Sequence, residues 1–169
     1  MTTKASSLFN ALDAASGAPS ADVLGGRVRV AMALFDDLAT TDLEAADILK
    51  ICPLPSNARL ISIQMSNTDL EGDSSSPALD FHLGLYDQDG NALDNDVFVN
   101  QGTQLQAAAS NSELLPPVDL DADFGKRVWE QADLTEDPRS FIDLCLTIDT
   151  VAATPAAGDI AFTVLYVVD

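Results

Sequence analysis

The chain has 169 residues, 47% of them hydrophobic and 21% charged, and 27 acidic against 8 basic residues give a formal net charge of -19 at pH 7. This length accommodates one domain with a sizeable core, and the apolar content excludes a wholly disordered chain. The negative charge makes nucleic acid and membrane surfaces poor partners, because an acidic surface repels their phosphate groups.

Residues 1–26 are predicted to form a flexible N-terminal arm, and residues 27–169 a single β domain. The arm is rich in Ala, Ser and Gly and ends at Gly25-Gly26, a composition typical of linkers. Its apolar residues, Leu8, Phe9 and Leu12, are candidates for docking on a partner. No secretory signal and no bilayer-spanning stretch is recognisable, so we expect synthesis in a reducing cytoplasm.

From Arg27 onward, apolar and small or polar residues alternate with the period of two that is typical of half-buried strands. In the first strand the core-facing set is predicted to be Val28, Val30, Met32 and Leu34. Arg27 and Arg29 then point outward and, if exposed, invite a carboxylate of a partner or of a neighbouring copy.

The same pattern predicts five further strands, near residues 47–52, 61–66, 79–86, 142–149 and 160–168. The second is expected to stop at Pro53 and Pro55, since proline donates no ladder hydrogen bond. The last is apolar on both faces, which favours a central strand.

The connections carry little regular structure in this interpretation. Residues 36–46 are a helix, a loop or a short turn. Residues 100–125 are expected to be a long connection with one turn of helix at most. The fold class is therefore all-β, an antiparallel β-sandwich that is jelly-roll-like and carries an extended N-terminal arm.

An acidic segment after the fourth strand contains the oxygen ligands that Ca²⁺ prefers. The candidate ligands are Asp87, Asp89, Asn91, Asp94 and Asp96. Their spacing does not match an EF-hand, because Gly90 is the fourth residue rather than the sixth and Phe98 stands at the twelfth. A β-hairpin with Gly90 in its turn is the favoured interpretation, and a calcium site is the alternative. No other cofactor is expected.

Residues for catalysis are sparse. The single histidine, His82, lies between two apolar residues of a predicted strand without a patterned Ser or Cys partner. Phosphate-binding loops and nucleophile elbows are missing from the sequence. Cys52 and Cys145 lie in apolar segments typical of buried thiols. We do not expect an enzyme.

Trp129 lies shortly after two adjacent basic residues, Lys126 and Arg127. The pattern leaves two interpretations open: an exposed anchor at an interface, or a side chain that caps the end of the core.

Several segments together resemble a known family. They include the step Leu54-Pro55-Ser56-Asn57-Ala58-Arg59-Leu60 and the hairpin Leu83-Gly84-Leu85-Tyr86-Asp87-Gln88-Asp89-Gly90. Residues 27–168 thereby resemble the small acidic virion structural proteins of tailed bacteriophages, of the head decoration (cement) type. The resemblance implies a β-sandwich that binds the major capsid protein on the outside of the capsid, commonly as a homotrimer, with an N-terminal arm that reaches neighbouring capsomers.

The first hypothesis is accordingly a head decoration protein made in the host cytoplasm. Its capsid or protomer contacts are expected from the arm, from Arg27 and Arg29, and from Trp129, because the twelve carboxylates between Arg59 and Lys126 predict a solvent-facing acidic surface elsewhere. One alternative is a carbohydrate- or host-surface-binding module, assisted by calcium. Another is an acidic protein adapted to high salt.

Overall fold

The computed structural model describes residues 27–115 and 125–168. The predicted arm, with Leu8, Phe9 and Leu12, lies outside the described residues. The strands are β1 (Arg27–Leu38), β2 (Ile48–Pro55), β3 (Arg59–Asn67), β4 (Asp80–Tyr86), β5 (Ala92–Gly102), β6 (Ala109–Glu113), β7 (Phe141–Thr150) and β8 (Gly158–Val168). Between them lie two 3₁₀ turns, Thr40–Asp42 and Gln104–Gln106, and one short helix, α1 (Val128–Gln131).

The strands form two four-stranded antiparallel sheets, in the orders β1-β8-β3-β6 and β2-β7-β4-β5. The pairing is nested: β1 pairs with β8, β2 with β7, β3 with β6 and β4 with β5. The predicted all-β sandwich is confirmed, and β8 is a central strand as expected.

The core lies between the two sheets and is almost entirely aliphatic. Its largest fully buried side chains include Phe81, Phe162, Leu54, Ile63 and Met65. Phe35 of β1 joins it from the edge, where its ring meets that of Phe162 edge to face, with centroids 6.3 Å apart. Because each strand contributes every second side chain, the period of two in the sequence corresponds to one buried face per sheet.

The predicted orientation of β1 is wrong. Its half-buried residues are Ala31, Ala33 and Phe35, which pack against the core. The larger aliphatic residues, which were expected to be buried, point away from it and are exposed: Val28, Val30, Met32 and Leu34. Arg27 and Arg29, which were expected to point outward, lie on the same side of β1 as Ala31 and Ala33, opposite Val168 and Tyr166 of β8. Both are nevertheless exposed, at the start of the strand. Alternation shows that a strand has two faces, but it does not show which face meets the other sheet.

Strand β2 also departs from the prediction, because it continues through both prolines to Pro55. Pro53 lies opposite Asp143 and Pro55 opposite Phe141 on β7. β2 is the edge strand of its sheet. A proline at an edge needs no outward hydrogen bond, so neither residue interrupts the pairing.

Two strands were missed between the fourth and last predicted ones. β5 is rich in Asp and Asn, and β6 has the sequence Ala-Ser-Asn-Ser-Glu, so neither shows apolar alternation. The expected connection over residues 100–125 therefore contains the end of β5, a 3₁₀ turn and β6. Residues 36–46 hold the end of β1 and a 3₁₀ turn, in agreement with the short-turn alternative.

None of the helices in the described ranges is long and apolar enough to cross a membrane.

Candidate interaction surface

The outward side of β1 and β8 carries a continuous set of apolar side chains. On β1, Val28, Val30, Met32 and Leu34 are between 57% and 81% exposed. In the antiparallel register they lie opposite Val167, Leu165, Thr163 and Ala161 of β8. We call the outward apolar side chains of these two strands the apolar face; they are Val28, Val30, Met32, Leu34, Ala161, Leu165 and Val167.

This face carries no charge. Its eight paired outward positions, four on β1 and four on β8, hold seven apolar residues and Thr163, without an ionisable side chain among them. Charge returns at the β-bulge beyond them, with Asp36 and Asp159. Further across the sheet, β3 presents Ser62, Gln64 and Ser66 beside β8. In a chain with a net charge of -19, an uncharged surface of this extent is unusual. Contiguous exposed apolar surface in a soluble protein is typical of an interaction site.

The two ends of β1 carry opposite charge. The strand starts with Arg27 and Arg29 and ends with Asp36 and Asp37, and all four residues are exposed. Asp37 has a positive φ of 55°, and its backbone N–H donates to Oδ1 of Asp159 at 2.9 Å. The pairing with β8 shifts between Phe35 and Leu38, so a β-bulge holds this acidic end in place.

The energy available from the apolar face is considerable. Full burial of an aliphatic side chain contributes roughly 1.5–3 kcal/mol. For four side chains that are about two-thirds exposed, a partner that covers them gains about 5 kcal/mol per copy before the cost of association.

No pairing partner occupies the free edge of β1 within the described residues, and an uncapped apolar edge strand favours binding to another chain.

A second site, Glu71, is structural. Its side chain is 1% exposed, and its two carboxylate oxygens accept hydrogen bonds from five backbone N–H groups. The donors are Asp73 and Thr154 to Oε1, and Ala78, Leu79 and Ala153 to Oε2, at 2.8–3.3 Å. Glu71 thereby joins the loop before β4 to the loop between β7 and β8.

The pKa of Glu71 reflects two opposing effects. Burial raises the pKa of the carboxyl, but the backbone N–H donors of Ala78, Thr154, Ala153 and Asp73 lower it more, and the result is about 2. Hydrogen bonds donated to a carboxylate favour its charged form. The side chain is therefore ionised at neutral pH although it is buried.

The acidic segment after β4 forms the expected hairpin. The loop between Tyr86 and Ala92 is closed by the backbone N–H of Asp87, which donates to the carbonyl oxygen of Asn91 at 2.9 Å. Gly90 has a φ of 89°. Asp87 accepts hydrogen bonds from both the backbone and the side chain of Asn91, at 2.7 and 2.8 Å. Asp87 and Asn91, two of the candidate calcium ligands, thus stabilise the turn by hydrogen-bonding to each other.

Of the other three candidate ligands, only Asp89 lies in the same turn. Asp89 is exposed in the turn, and Asp94 and Asp96 are on β5. Burial raises the pKa of Asp94, and a hydrogen bond from the backbone N–H of Asp96 lowers it. The side chains of Asp96 and Asp133 raise this pKa further, so the net shift is upward. Among the described residues, no group of three or more His, Cys, Asp or Glu side chains could hold a metal ion. The calcium site stays a prediction.

The candidate catalytic groups are engaged in packing. His82 accepts a hydrogen bond at Nδ1 from the backbone N–H of Gln101, at 3.3 Å, and its Nε2 lies 3.6 Å from Asp149. Burial raises the pKa of Cys52 to about 11 and that of Cys145 to about 12. At neutral pH both thiols are protonated, and a protonated thiol is a poor nucleophile.

Trp129 lies on α1, where it is half-buried and packs against the core. Its indole N–H is buried without a hydrogen-bond partner in the described part of the chain. This packing agrees with the interpretation of Trp129 as a cap on the core. Its role at an interface stays a prediction.

Comparison with known proteins gives a result at the level of structure. The sequence matches no protein-family model and no curated protein. The fold, however, is similar to that of a chain in the capsid asymmetric unit of cyanophage Pam1, with a TM-score of 0.59, 19% identity and 92% of each chain covered. A chain in the capsid of Ralstonia phage GP4 is similar too, with a TM-score of 0.62, 17% identity, and 85% of this chain and 86% of that chain covered. At these identities the likeness establishes a shared fold.

Sequence reasoning identified Arg27 and Arg29 but missed the apolar face beside them, because it assigned the same aliphatic residues to the core. The sequence did contain a signal for the opposite orientation: Ala31 and Ala33 are small enough to lie against the other sheet, and together with Phe35 they form the set that packs against the core. Glu71 was also missed, since Glu71-Gly72-Asp73 has the composition of an ordinary turn.

Proposed function

We propose that the protein is a head decoration (cement) protein of a tailed bacteriophage, which binds the major capsid protein on the outer surface of the capsid as a homotrimer and stabilises the lattice. The observation that carries the proposal is the fold shared, over most of both chains, with chains of two phage capsids. The nested pairing of eight strands in two sheets supports a jelly roll, a fold that is common among capsid proteins.

The surface chemistry supports binding rather than catalysis. The apolar face provides area for association, while the two thiols are protonated at neutral pH and are therefore poor nucleophiles. Many copies on one lattice stabilise it through multivalency, even when each contact is small. The acidic remainder of the surface keeps the particle soluble.

The proposal is tested with heads of the phage that encodes the chain, purified after deletion of its gene. Purified full-length protein added to these heads should co-sediment with them at a fixed ratio to the major capsid protein. It should also raise the temperature at which the heads release DNA. Heads that bind no added protein would contradict the assignment.

The arm is tested in the same assay. A chain that lacks residues 1–24 should keep its circular dichroism spectrum and lose most of its occupancy on the heads, because the arm is proposed to reach neighbouring capsomers. Unchanged occupancy would remove the arm from the mechanism while leaving the decoration role in place.

A further inference from the structure

We infer that the apolar face is the contact between copies of this chain, and that its occupant is the apolar face of a neighbouring copy. This inference deepens the proposed function and rests on it for the presence of several copies side by side. It names the surface and the partner, and it is testable in solution without capsids.

The first argument is burial. Val28, Val30, Met32 and Leu34 are 57–81% exposed although all are large and apolar. Most of the other large aliphatic residues on the strands are buried, with Ile48 and Ile61 as exposed exceptions, and Ala31, Ala33 and Phe35 of β1 pack against the core. Turning the strand over would not help, because the smaller side chains fit the space beside Phe162. Burial of the outward set therefore requires another molecule.

The second argument is charge. A partner with a basic surface gains nothing from a face that has no ionisable side chain on its eight outward positions. Two copies that each carry a net charge of -19 repel one another wherever their carboxylates meet. The uncharged face is the surface on which two such copies approach with the least repulsion.

The third argument is the polarity of β1. Arg27 and Arg29 lie at one end of the strand, and Asp36 and Asp37 at the other. In a two-fold pair the two β1 strands run antiparallel, and in a three-fold ring they follow one another head to tail. In both cases the basic start of one strand lies beside the acidic end of the next. Each copy then supplies both charges, as a symmetric assembly requires. A two-fold pair and a three-fold ring both permit this arrangement.

The main experiment introduces charge into the face. The double variant Val30→Glu/Met32→Glu should be monomeric in sedimentation velocity at concentrations where the wild-type chain is an oligomer. We expect the dissociation constant to rise by about a hundredfold or more, because carboxylates would be desolvated against each other. Both positions are exposed, so the circular dichroism spectrum should not change.

A matched control is available on the second sheet. Ile48 is also an exposed aliphatic residue of an edge strand, β2, and is 41% exposed. Ile48→Glu adds one carboxylate away from the apolar face and should leave the oligomer intact, whereas the single variant Met32→Glu adds the same charge on the face and should weaken association. Equal dissociation by Ile48→Glu would show that net charge, rather than this face, controls association.

A charge exchange tests the orientation. Arg27→Asp should weaken association by roughly tenfold or more, since it places a carboxylate beside those of the neighbouring copy. Adding Asp36→Arg to the same chain should restore it, because the exchanged charges then meet again between copies. Failure of the second substitution to restore association would overturn the head-to-tail arrangement.

Two results would overturn the inference itself: a wild-type chain that is monomeric at tens of micromolar, or an oligomer that survives Val30→Glu/Met32→Glu. If the wild-type monomer still binds heads and the double variant does not, the face binds the capsid protein instead, and the proposed function survives without this inference. If the oligomer forms as expected but no head binds it, the proposed function fails alone.

Discussion

Glu71 shows how one residue joins distant parts of this fold. A carboxylate that is removed from water loses its hydration, and its charge must be compensated within the protein. Here the compensation comes from five backbone N–H groups, two of which belong to Ala153 and Thr154, more than eighty residues away. The loops before β4 and before β8 are thus held together by one side chain.

We predict that Glu71→Gln destabilises the protein by about 3 kcal/mol, because the amide NH₂ would face N–H donors and leave some of them without an acceptor. The free energy of unfolding is measured by urea denaturation. Asp73→Asn is the control: Asp73 is in the same loop and accepts a hydrogen bond from the backbone N–H of Ser75, which an amide oxygen retains. Similar losses for both variants would contradict the special role of Glu71.

The pH dependence follows from the lowered pKa. The pKa of Glu71 is about 2 in the folded chain, compared with an ordinary value of 4.5 for a glutamate side chain. A group whose pKa is lower in the folded state stabilises it fully above the unfolded pKa, and that contribution is lost as the pH falls through the folded pKa. The free energy of unfolding should therefore decline between about pH 4.5 and pH 2.

In Glu71→Gln this part of the acid dependence should be missing, as shown by urea denaturation at a series of pH values. A variant curve parallel to that of the wild type would rule out Glu71 as the source.

At the level of the element, β1 shows how burial depends on neighbours. Its two faces differ in size, with Val, Met and Leu on one and Ala, Ala and Phe on the other. The core accepts the second set because Phe35 packs against Phe162 and the two alanines leave room for the opposite sheet. The larger set is left for a partner.

We predict different costs for truncation on the two faces. Phe35→Ala should lower the free energy of unfolding by about 2 kcal/mol, as it removes a partly buried ring from the core. Leu34→Ala should cost less than about 0.5 kcal/mol, because Leu34 is largely exposed. Urea denaturation at low protein concentration separates these effects from association. If Leu34→Ala lowered the free energy of unfolding more than Phe35→Ala does, the result would support the orientation of β1 that was expected from the sequence.

At the level of the whole molecule, net charge and its distribution dominate. With 27 acidic and 8 basic residues, the folded chain concentrates like charges that the unfolded chain holds further apart. Self-repulsion of this kind destabilises the compact state and is screened by salt.

Raising NaCl from about 0.01 M to about 0.1 M shortens the screening length from about 30 Å to about 10 Å. We therefore predict that the melting temperature rises by a few degrees over this range, as measured by circular dichroism. KCl at the same ionic strength should act equally, since screening depends on ionic strength. Complete unfolding at low salt would instead favour the alternative of a protein adapted to high salt.

The sequence by itself determined the all-β class, the hairpin at Gly90 and the central position of β8, because each depends on local features: a period of two, a glycine with positive φ, and a strand that is apolar on both sides. It did not reveal how far β5 extends beyond the hairpin, nor that β6 exists, because their polar residues leave the period of two undetected. Those strands form because neighbours in the sheets supply their hydrogen-bond partners.

Only the tertiary structure decided which side of β1 is buried and what Glu71 does. Both depend on residues far along the chain: Phe162 and β8 for the orientation of β1, and Ala153 and Thr154 for the carboxylate. Local pattern records which residues share a face, whereas burial is a property of what packs against that face. The apolar face, and the partner proposed for it, became visible when the fold left that side of β1 uncovered.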